Sequence, residues 1–263
     1  MVILPRKRVR RQKGGIVRTV ILTFDDAVIS HYENVGPLLH DLGFGATFFI
    51  CRFNDEWRKK NERYLMTGEQ IRELDSAGFE IANHTWNHPD LRQLSEPEIE
   101  REITRLNRFL AESGVAAPVS FAYPGGPFAE NAVGVLKRNH FICARTVRKS
   151  VYRPAEDDPM NLPGFGICGD KPETFRAAVA QADEVNPVIL VFHGVPEYVH
   201  PWVHVEFPLF REYMNFLKQN GYRVCSLRDW FLESDPALSG LVRKGAEGAG
   251  KTDIQIPAGL EHV

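Results

Sequence analysis

Short apolar runs alternate with longer amphipathic stretches along most of the chain. The apolar runs are rich in β-branched and aromatic residues, which is typical of buried strands. Strands are predicted over residues 17–24, 46–51, 79–82, 119–123, 141–145, 188–192 and 222–225. The amphipathic stretches between them predict helices over residues 33–41, 67–77, 95–113, 131–138, 171–182, 207–220 and 227–232.

Capping signals mark the start of two of these helices. Thr67 is followed by Gln70, and Ser95 by Glu98, and both pairs have the spacing of a capping box. We therefore expect residues 95–113 to form the longest helix. Its apolar residues recur with the helical period, at Ile99, Ile103, Leu106 and Leu110.

The order of the elements predicts an α/β fold. Strands that are apolar throughout are typical of a parallel sheet covered on both faces. We expect about seven strand-helix units to close into a distorted parallel β/α barrel, a single domain over residues 16–233. An open, doubly wound sheet is the alternative. Residues 150–169 are rich in proline, aspartate and glycine and predict a long loop with one short strand.

The two ends of the chain predict little regular structure. Residues 1–15 are basic, lack aromatic residues and read as a flexible arm, and residues 234–263 read as a loosely docked tail. No segment has the composition of a secretory signal or a membrane span. The expected location is therefore cytoplasmic, unless a leader precedes the first residue.

Composition excludes some classes of function. The apolar content is 43%, the charged content is 25% and the net charge is −2, so nothing indicates nucleic-acid binding. The four cysteines are widely spaced and form no CxxC pattern, which favours isolated thiols over a disulfide framework. They are Cys51, Cys143, Cys168 and Cys225.

Two short motifs carry the residues best suited to catalysis. Thr23-Phe24-Asp25-Asp26 places two carboxylates at the end of the first predicted strand, and His84-Thr85-Trp86-Asn87-His88 places two imidazoles four residues apart. A helical turn would bring both imidazoles to one ion. One carboxylate and two histidines leave open positions on a divalent metal, and the second carboxylate is then free to act as a base.

The ends of the predicted strands collect further functional side chains. Pro124 and His193 follow the fourth and sixth of these strands, as Asp25 and His84 follow the first and third. Functional groups of parallel barrels lie at the C-terminal ends of the strands. We therefore expect one shared site.

Four motifs follow one another along the chain: Thr23-Phe24-Asp25-Asp26, His84-Thr85-Trp86-Asn87-His88, Phe121-Ala122-Tyr123-Pro124-Gly125-Gly126 and Val191-Phe192-His193-Gly194. In this order they resemble those of the polysaccharide deacetylase family, metal-dependent carbohydrate esterases that include chitin, chitooligosaccharide and peptidoglycan deacetylases. The resemblance covers roughly residues 17–232 and implies a distorted β/α barrel.

The resemblance implies a catalytic role for five side chains. Asp25 is implied as the general base and His193 as the general acid. Asp26, His84 and His88 are implied as ligands of a divalent metal. Zinc suits this donor set first, with cobalt, manganese, nickel or iron as alternatives.

Further residues are expected to bind substrate or to support the metal. The resemblance implies that Gly125 supplies a main-chain N–H to the oxyanion, with Tyr123 and Pro124 beside it at the substrate. We expect Thr85 to brace residues 84–88, the metal loop, by hydrogen bonding, and a plain turn hydroxyl is the other interpretation. Trp202 is the first candidate for stacking against a sugar ring, and packing in the core is the other interpretation.

The chain departs from the family pattern around the general base. Many members carry an arginine beside the base, either two residues before the motif's proline or after a later Leu-Pro. Those positions hold Ala122 and Gly164 in this chain. Three other arginines lie within reach, although we expect each of them at the surface: Arg145, Arg148 and Arg153.

Two further expectations concern the cleft. Gly125 stands where many members have an aromatic residue, which removes one wall of the sugar cleft. Asp157 or Asp158 is a candidate to orient His193, as a carboxylate orients a catalytic imidazole.

The predicted activity is removal of N-acetyl groups from amino-sugar polymers or oligomers. Two alternatives remain open: a deacylase of a small amide, an acetyl ester or a lipid- or nucleotide-linked sugar, and a carbohydrate-binding module without turnover. The expected partner is an acetylated carbohydrate, with no nucleic acid and no membrane span. The oligomeric state is left open.

Overall fold

The computed structural model describes residues 17–239 and arranges them around one parallel sheet. The strands are β1 (Thr19–Phe24), β2 (Thr47–Ile50), β3 (Glu80–Asn83), β4 (Ser120–Ala122), β5 (Cys143–Arg145), β6 (Phe165–Gly166), β7 (Val188–Phe192) and β8 (Arg223–Cys225). The α-helices are α1 (Gly36–Leu42), α2 (Asp55–Asn61), α3 (Gly68–Ser76), α4 (Glu96–Glu112), α5 (Glu130–Arg138), α6 (Pro172–Val179), α7 (Phe207–Gln219) and α8 (Leu227–Ser234).

The sheet curls into an incomplete barrel. Its strands follow the order β5-β4-β3-β2-β1-β7-β6, all neighbours are parallel, and β8 pairs with the first half of β1. Leu162 pairs with Arg145 at the end of β5, and β6 starts at Phe165, so this short segment draws the two outer edges together. The distorted parallel β/α barrel is therefore confirmed, and the open doubly wound alternative is wrong.

The strands are buried on both faces, which explains their unbroken apolar character. In β1, Val20, Leu22 and Phe24 pack into the larger cluster with residues of α1, α3 and α7. Ile21, which points the other way, packs with Phe49 into a smaller cluster that α8 closes. Each such side chain contributes about 1.5–3 kcal/mol when fully buried. This burial holds the strand ends, and the polar residues that follow them, in a fixed layer.

The helix predictions hold, with two exceptions. Both capping boxes are formed, at Thr67 before α3 and at Ser95 before α4. The helix predicted over 33–41 is present, but its first part is a π turn (His31–Val35) that runs into α1. The sequence did not predict α2 because its residues, DEWRKKN, give no apolar period. Asn54 caps it by accepting a hydrogen bond from the N–H of Trp57.

The predicted ends of the chain fall mostly outside the described residues. The N-terminal arm at 1–15 lies outside them, as do residues 240–263 of the C-terminal tail. Residues 234–239 carry the end of α8 and a following turn. None of the helices within residues 17–239 is long and apolar enough to cross a membrane.

Candidate active site

The C-terminal ends of β1, β3, β5 and β7 bring the polar residues of the site together. Asp25 and Asp26 follow β1, His84 follows β3, Arg145 ends β5 and His193 follows β7. Parallel strands end at the same edge of a sheet, so residues distant in sequence become neighbours. Asp25, Asp26 and His84 are at most 5% exposed. A buried cluster of opposite charges at this edge is the arrangement that a catalytic site requires.

Asp26, His84 and His88 form a set of three possible metal ligands. The Asp26 Oδ1 lies 3.7 Å from the Nε2 of His84 and 3.6 Å from the Nε2 of His88. All three ligand atoms lie within 4.8 Å of one another. Ligands of a tetrahedral zinc ion stand roughly 3.3 Å apart, given bonds of about 2.0–2.2 Å. The spacing therefore fits a single small divalent ion.

The protonation pattern of His84 also suits a ligand. Its Nδ1 lies 2.7 Å from the main-chain oxygen of Ala122, and a carbonyl can only accept. The Nδ1 therefore carries the proton and donates it, and the Nε2 lone pair faces Asp26. Hydrogen bonds of this kind fix the tautomer and orientation of histidines that bind metals.

The segment from His84 to His88 is a bend, so the expected helical turn is wrong. Thr85 and His88 both have positive φ, 66° and 57°. The N–H of Thr85 donates to the side chain of Asn83, and the Thr85 Oγ1 accepts from the N–H of His88 at 3.1 Å. These bonds reverse the chain sharply, which turns the imidazole of His88 back toward that of His84, with ring centres 4.8 Å apart.

Helix α4 holds the same bend from outside. Glu102 accepts hydrogen bonds from both the main chain and the side chain of Asn87, each 2.7 Å long. The ring of Trp86 packs edge-on against Phe109, and the guanidinium of Arg105 lies 4.3 Å above it. Contacts with α4 thus hold residues 84–88 in place, and the sequence of the motif alone does not predict these contacts.

Arg145 is buried beside Asp25, which corrects the expectation that it lies at the surface. It is 0% exposed, and its Nη2 donates to both carboxylate oxygens of Asp25, at 2.7 Å for Oδ2. Its guanidinium also lies 5.1 Å from the centre of the Phe49 ring. Arg148 does lie near the surface and pairs with Asp157. The general base implied by the sequence therefore has a cationic partner from β5.

Both carboxylates stay ionised despite their burial. Burial raises the pKa of Asp25, but the positive charge of Arg145, followed by the interactions with His84 and His193, outweighs it, and the net pKa is lower than usual. For Asp26 burial again raises the pKa, while His193, His88 and His84 bring it down to about 2. Arg145 has the largest lowering effect on the pKa of Asp25 and His193 the largest on that of Asp26, so the two carboxylates have different surroundings.

His193 faces both carboxylates from β7. Its Nε2 lies 4.0 Å from Asp25 Oδ2 and 3.8 Å from Asp26 Oδ2. The expectation that Asp157 or Asp158 orients it is wrong. Asp157 binds Arg148 and the N–H of Arg153, and Asp158 caps a short helical turn through the N–H of Met160.

Gly125 follows β4, so it lies at the same edge of the parallel sheet as the other site residues. Gly125 is exposed and has a φ of 68°. Pro124 beside it is buried. Tyr123 is 1% exposed, and its hydroxyl donates to the carbonyl of Met160. The side chain of Tyr123 therefore packs in the core, and only its main chain is left for the expected role at the substrate.

A row of aromatic rings leads from the metal loop to the surface. Phe53 packs against His88 and Trp57, with ring centres 5.4 and 4.0 Å apart. His200 stacks on Trp57 at 5.6 Å and contacts Trp202 at 5.3 Å. Trp202 is 71% exposed, so it does not pack in the core. The sequence did not indicate the inner part of this row.

The comparisons with known proteins agree with these motifs. A sequence model for the family described as Polysaccharide deacetylase matches residues 13–142. This part of the chain matches the polysaccharide deacetylase family. The matched range holds the aspartate pair, both histidines of the metal loop and Gly125, whereas Arg145 and His193 lie beyond it.

Polysaccharide deacetylases of known name show the same relationship. A peptidoglycan-N-acetylglucosamine deacetylase of Bacillus cereus is 32% identical over 41% of this chain and 47% of its own length. A chitooligosaccharide deacetylase of Rhizobium leguminosarum bv. trifolii is 27% identical over 70% of this chain and 76% of its own. For several other relatives the match spans only 30–43% of their length.

The solved structures support the fold. A family 4 carbohydrate esterase from Streptomyces lividans, solved with acetate, aligns with a TM-score of 0.55 over 81% of this chain and 93% of its own, at 18% identity. At that identity the likeness establishes the architecture alone. The barrel of this chain therefore has the architecture of that esterase.

Arg145 contacts Asp25 from the end of β5, a position that the family pattern does not predict. The place after Leu162-Pro163 holds Gly164, and a Cβ there would lie 2.9 Å from the Thr146 carbonyl oxygen and 3.2 Å from the Cδ of Arg145. Gly164 thus leaves room for Arg145. A side chain at 164 would clash with the Thr146 carbonyl and with Val191, and it would crowd the Cδ of Arg145.

The metal-free protein is expected to lose stability as the pH falls from about 6.5 to about 4. Burial lowers the pKa of both His31 and His84 to about 4. The unfolded chain binds these protons near pH 6.5, so in this window it holds more protons than the folded chain, and stability falls with pH. Each histidine contributes up to about 3 kcal/mol. Urea unfolding in EDTA at pH 7, 6 and 5 measures the effect.

The carboxylates of Asp25 and Asp26 also make the folded protein less stable as the pH falls. The lowered pKa values of Asp25 and Asp26 remove further stability below about pH 4. His31→Gln removes one titrating group and is expected to flatten the slope between pH 7 and 5. An unfolding free energy that stays constant over that range would contradict the prediction.

Proposed function

We propose that the protein is a metal-dependent hydrolase that removes N-acetyl groups from amino-sugar oligomers or polymers and releases acetate. One observation carries the proposal: Asp26, His84 and His88 converge on one point, while Asp25 and His193 lie beside it outside the ligand set. A metal donor set with a separate base and a separate acid is suited to hydrolysis of an acyl bond.

The metal-binding residues fit a small borderline ion. When bound by Asp26, His84 and His88, a divalent ion supplies polarisation of the acetyl carbonyl and a water of lowered pKa. Zinc is the first expectation for two imidazoles and one carboxylate, with cobalt, manganese, nickel or iron as alternatives.

The protein side chains carry the protons. Asp25 accepts a proton from the attacking water, and Arg145 keeps its carboxylate ionised until then. His193 donates a proton to the departing nitrogen, which leaves as a free amine. The N–H of Gly125 donates to the oxyanion, and a donor of this kind is worth about 10²–10³ in rate.

The substrate class rests on the names of relatives and on the exposed aromatic ring. The relatives named above act on peptidoglycan N-acetylglucosamine and on chitooligosaccharides. Trp202 is exposed at the end of the aromatic row that starts at His88. We therefore propose that Trp202 stacks on a sugar ring of the oligomer while a neighbouring N-acetyl group lies at the ligand set.

A second candidate is a deacylase of a small amide, an acetyl ester or a lipid- or nucleotide-linked sugar. The small space beside Asp26 accommodates such a substrate. That cavity has a volume of about 10 Å³ and is walled by Phe53, Trp57, Tyr64 and His200, among others. Such a volume holds little more than one water. A substrate that presents a small acyl group to the site fits both candidates, and the remainder of the molecule distinguishes them.

One experiment tests both candidates. The zinc-loaded protein is incubated with hexa-N-acetylchitohexaose, N-acetylglucosamine, peptidoglycan fragments and p-nitrophenyl acetate, and acetate is measured. We expect release from the hexamer, loss of release in EDTA, and recovery when zinc is restored. His84→Ala combined with His88→Ala is the control, with zinc content measured by elemental analysis. Release from the small substrates alone supports the second candidate, and sugar binding without release from any substrate indicates a binding module.

Replacing Trp202 with Ala is expected to raise KM for the hexamer about tenfold, equivalent to ~1.4 kcal/mol of lost stacking. The KM for p-nitrophenyl acetate, which has no sugar ring, is expected to stay within about twofold. Val185→Ala is the matched control, since Val185 is 62% exposed and precedes β7 at the opposite end of the sheet. Equal effects on both substrates would contradict a stacking role.

A further inference from the structure

His31 is a buried histidine that the proposed chemistry does not use. It is 0% exposed and lies in the π turn that follows the aspartate pair. Its Nε2 lies 2.9 Å from the main-chain oxygen of His193, 162 residues further along the chain. A carbonyl oxygen only accepts, so the Nε2 carries the proton and donates it. Burial lowers the pKa of His31 to about 4, which keeps the ring neutral at pH 7.

Two neighbours of His31, Ser30 and Asn34, also bind the main chain just after His193. The Ser30 Oγ accepts from the N–H of Val195 at 2.8 Å, and the Asn34 Nδ2 donates to the carbonyl of Val195 at 2.9 Å. Residues 30–34 thus make three hydrogen bonds to residues 193–195. This strap, as we call residues 30–34, joins the segment after Asp25 and Asp26 to the segment that carries His193.

The ring of His31 has little freedom in this position. It packs edge-on against Phe24, with ring centres 5.5 Å apart, and lies 5.6 Å from Phe48. Its Nδ1 has no hydrogen-bond partner within residues 17–239. A buried polar atom without a partner is unfavourable by about 1–3 kcal/mol. A leucine would avoid that penalty and fill similar space, so apolar packing alone does not explain a histidine here.

We propose that His31 is a positioning residue for His193: its Nε2–H fixes the main chain from which the His193 imidazole reaches toward Asp25 and Asp26. The inference rests on the proposed function, in which His193 protonates the departing nitrogen. His31 lies in a π turn, and π turns occur often at functional sites.

The choice of leaving group distinguishes a role of His31 in positioning His193 from a role in overall packing. Hydrolysis adds water across the C–N bond, and the amine leaves only after its nitrogen receives a proton. The phenolate of p-nitrophenyl acetate leaves without one. Displacing His193 therefore slows release of acetate from an N-acetyl sugar more than release from the aryl ester. A loss of overall packing would slow both.

Two variants of His31 form a matched pair. His31→Gln keeps an N–H donor near the Nε2 position and leaves one unpartnered acceptor, as the imidazole does. His31→Leu keeps the volume and removes the donor. With zinc-loaded protein we expect the leucine variant to lose about 10–10²-fold in kcat on hexa-N-acetylchitohexaose, with KM within twofold and less than threefold loss on p-nitrophenyl acetate. The glutamine variant is expected to retain most activity on both.

His193→Ala gives the reference selectivity and separates the two proposals. If it loses more activity on the hexamer than on the aryl ester, the acid role stands, and the histidine pair then tests the inference. Equal losses on both substrates for His31→Leu, or the same loss for Gln and Leu, would overturn the inference alone. Ser30→Ala, which removes another bond of the strap, is expected to show the same selectivity to a smaller degree. It provides the test if the leucine variant does not fold.

Discussion

Asparagine in place of Asp25 is expected to lower kcat for release of acetate by about 10³-fold and to leave zinc binding intact. Asparagine has nearly the same shape as aspartate but cannot accept the proton of the attacking water, and a positioned base contributes about 10²–10⁴ in rate. Asp25 lies outside the set formed by Asp26, His84 and His88, so the ligand atoms keep their spacing. Acetate release from hexa-N-acetylchitohexaose measures the rate, and elemental analysis measures the zinc.

The matched control is Asp26→Asn, which alters the ligand itself and is expected to lose both zinc and activity. Asp25→Asn also leaves the buried charge of Arg145 without its carboxylate, so some stability is lost. Combining it with Arg145→Met removes both charges and is expected to restore stability without restoring activity. If Asp25→Asn released acetate at the rate of the unaltered protein, Asp25 would not be the general base.

The strands and the clustering of Asp26, His84 and His88 were predictable because their signals are local. Apolar runs such as residues 188–192 need burial on both faces, and a parallel barrel provides it. Polar residues directly after such runs, such as Asp26 and His84, then fall on one edge of the sheet whatever the exact strand order. A pattern of this kind fixes the position along each strand, although it does not specify the side chains that contact one another.

Arg145 shows why the remainder of the site could not be predicted. A charged residue at a strand end looks the same in sequence whether it lies in solvent or is buried, and most arginines are exposed. It packs closely against Gly164, which the sheet places next to it although 19 residues separate the two in sequence. The available signal was its position at the end of the strand predicted over 141–145, the same layer as Asp25.

The bend at the metal loop and the role of His31 were missed for another reason. A spacing of four residues between His84 and His88 favours a helix by periodicity, yet side-chain bonds at Thr85 and Asn87 create a tighter turn. Competition between side chains and main chain for hydrogen bonds is not visible as a hydrophobic pattern. His31 has no periodic signal either, because its partner is a main-chain oxygen 162 residues away.

Methionine in place of Arg145 is expected to reduce both stability and activity. The side chain is 0% exposed, and its Nη2 binds the equally buried carboxylate of Asp25. Removing one partner of a buried pair leaves an uncompensated charge and lowers the free energy of unfolding by about 3–5 kcal/mol. Urea unfolding measures this, and Arg148→Met is the control. Because Arg148 is half exposed and pairs at the surface, its loss is expected to change stability by less than about 1 kcal/mol.

The pH dependence of the rate separates the catalytic effect of Arg145 from its effect on stability. Burial raises the pKa of Asp25 and Arg145 lowers it, so without Arg145 the balance moves upward. The base must be ionised to act, and a raised pKa means that activity disappears at a higher pH on the acid side. We therefore expect the acid limb of the kcat profile of Arg145→Met to move toward neutral pH, with a loss of roughly 10²-fold at pH 6 that becomes smaller at pH 8. A profile of unchanged shape, merely scaled down, would mean that Arg145 serves the fold and that the ionisation of Asp25 is maintained by its other neighbours.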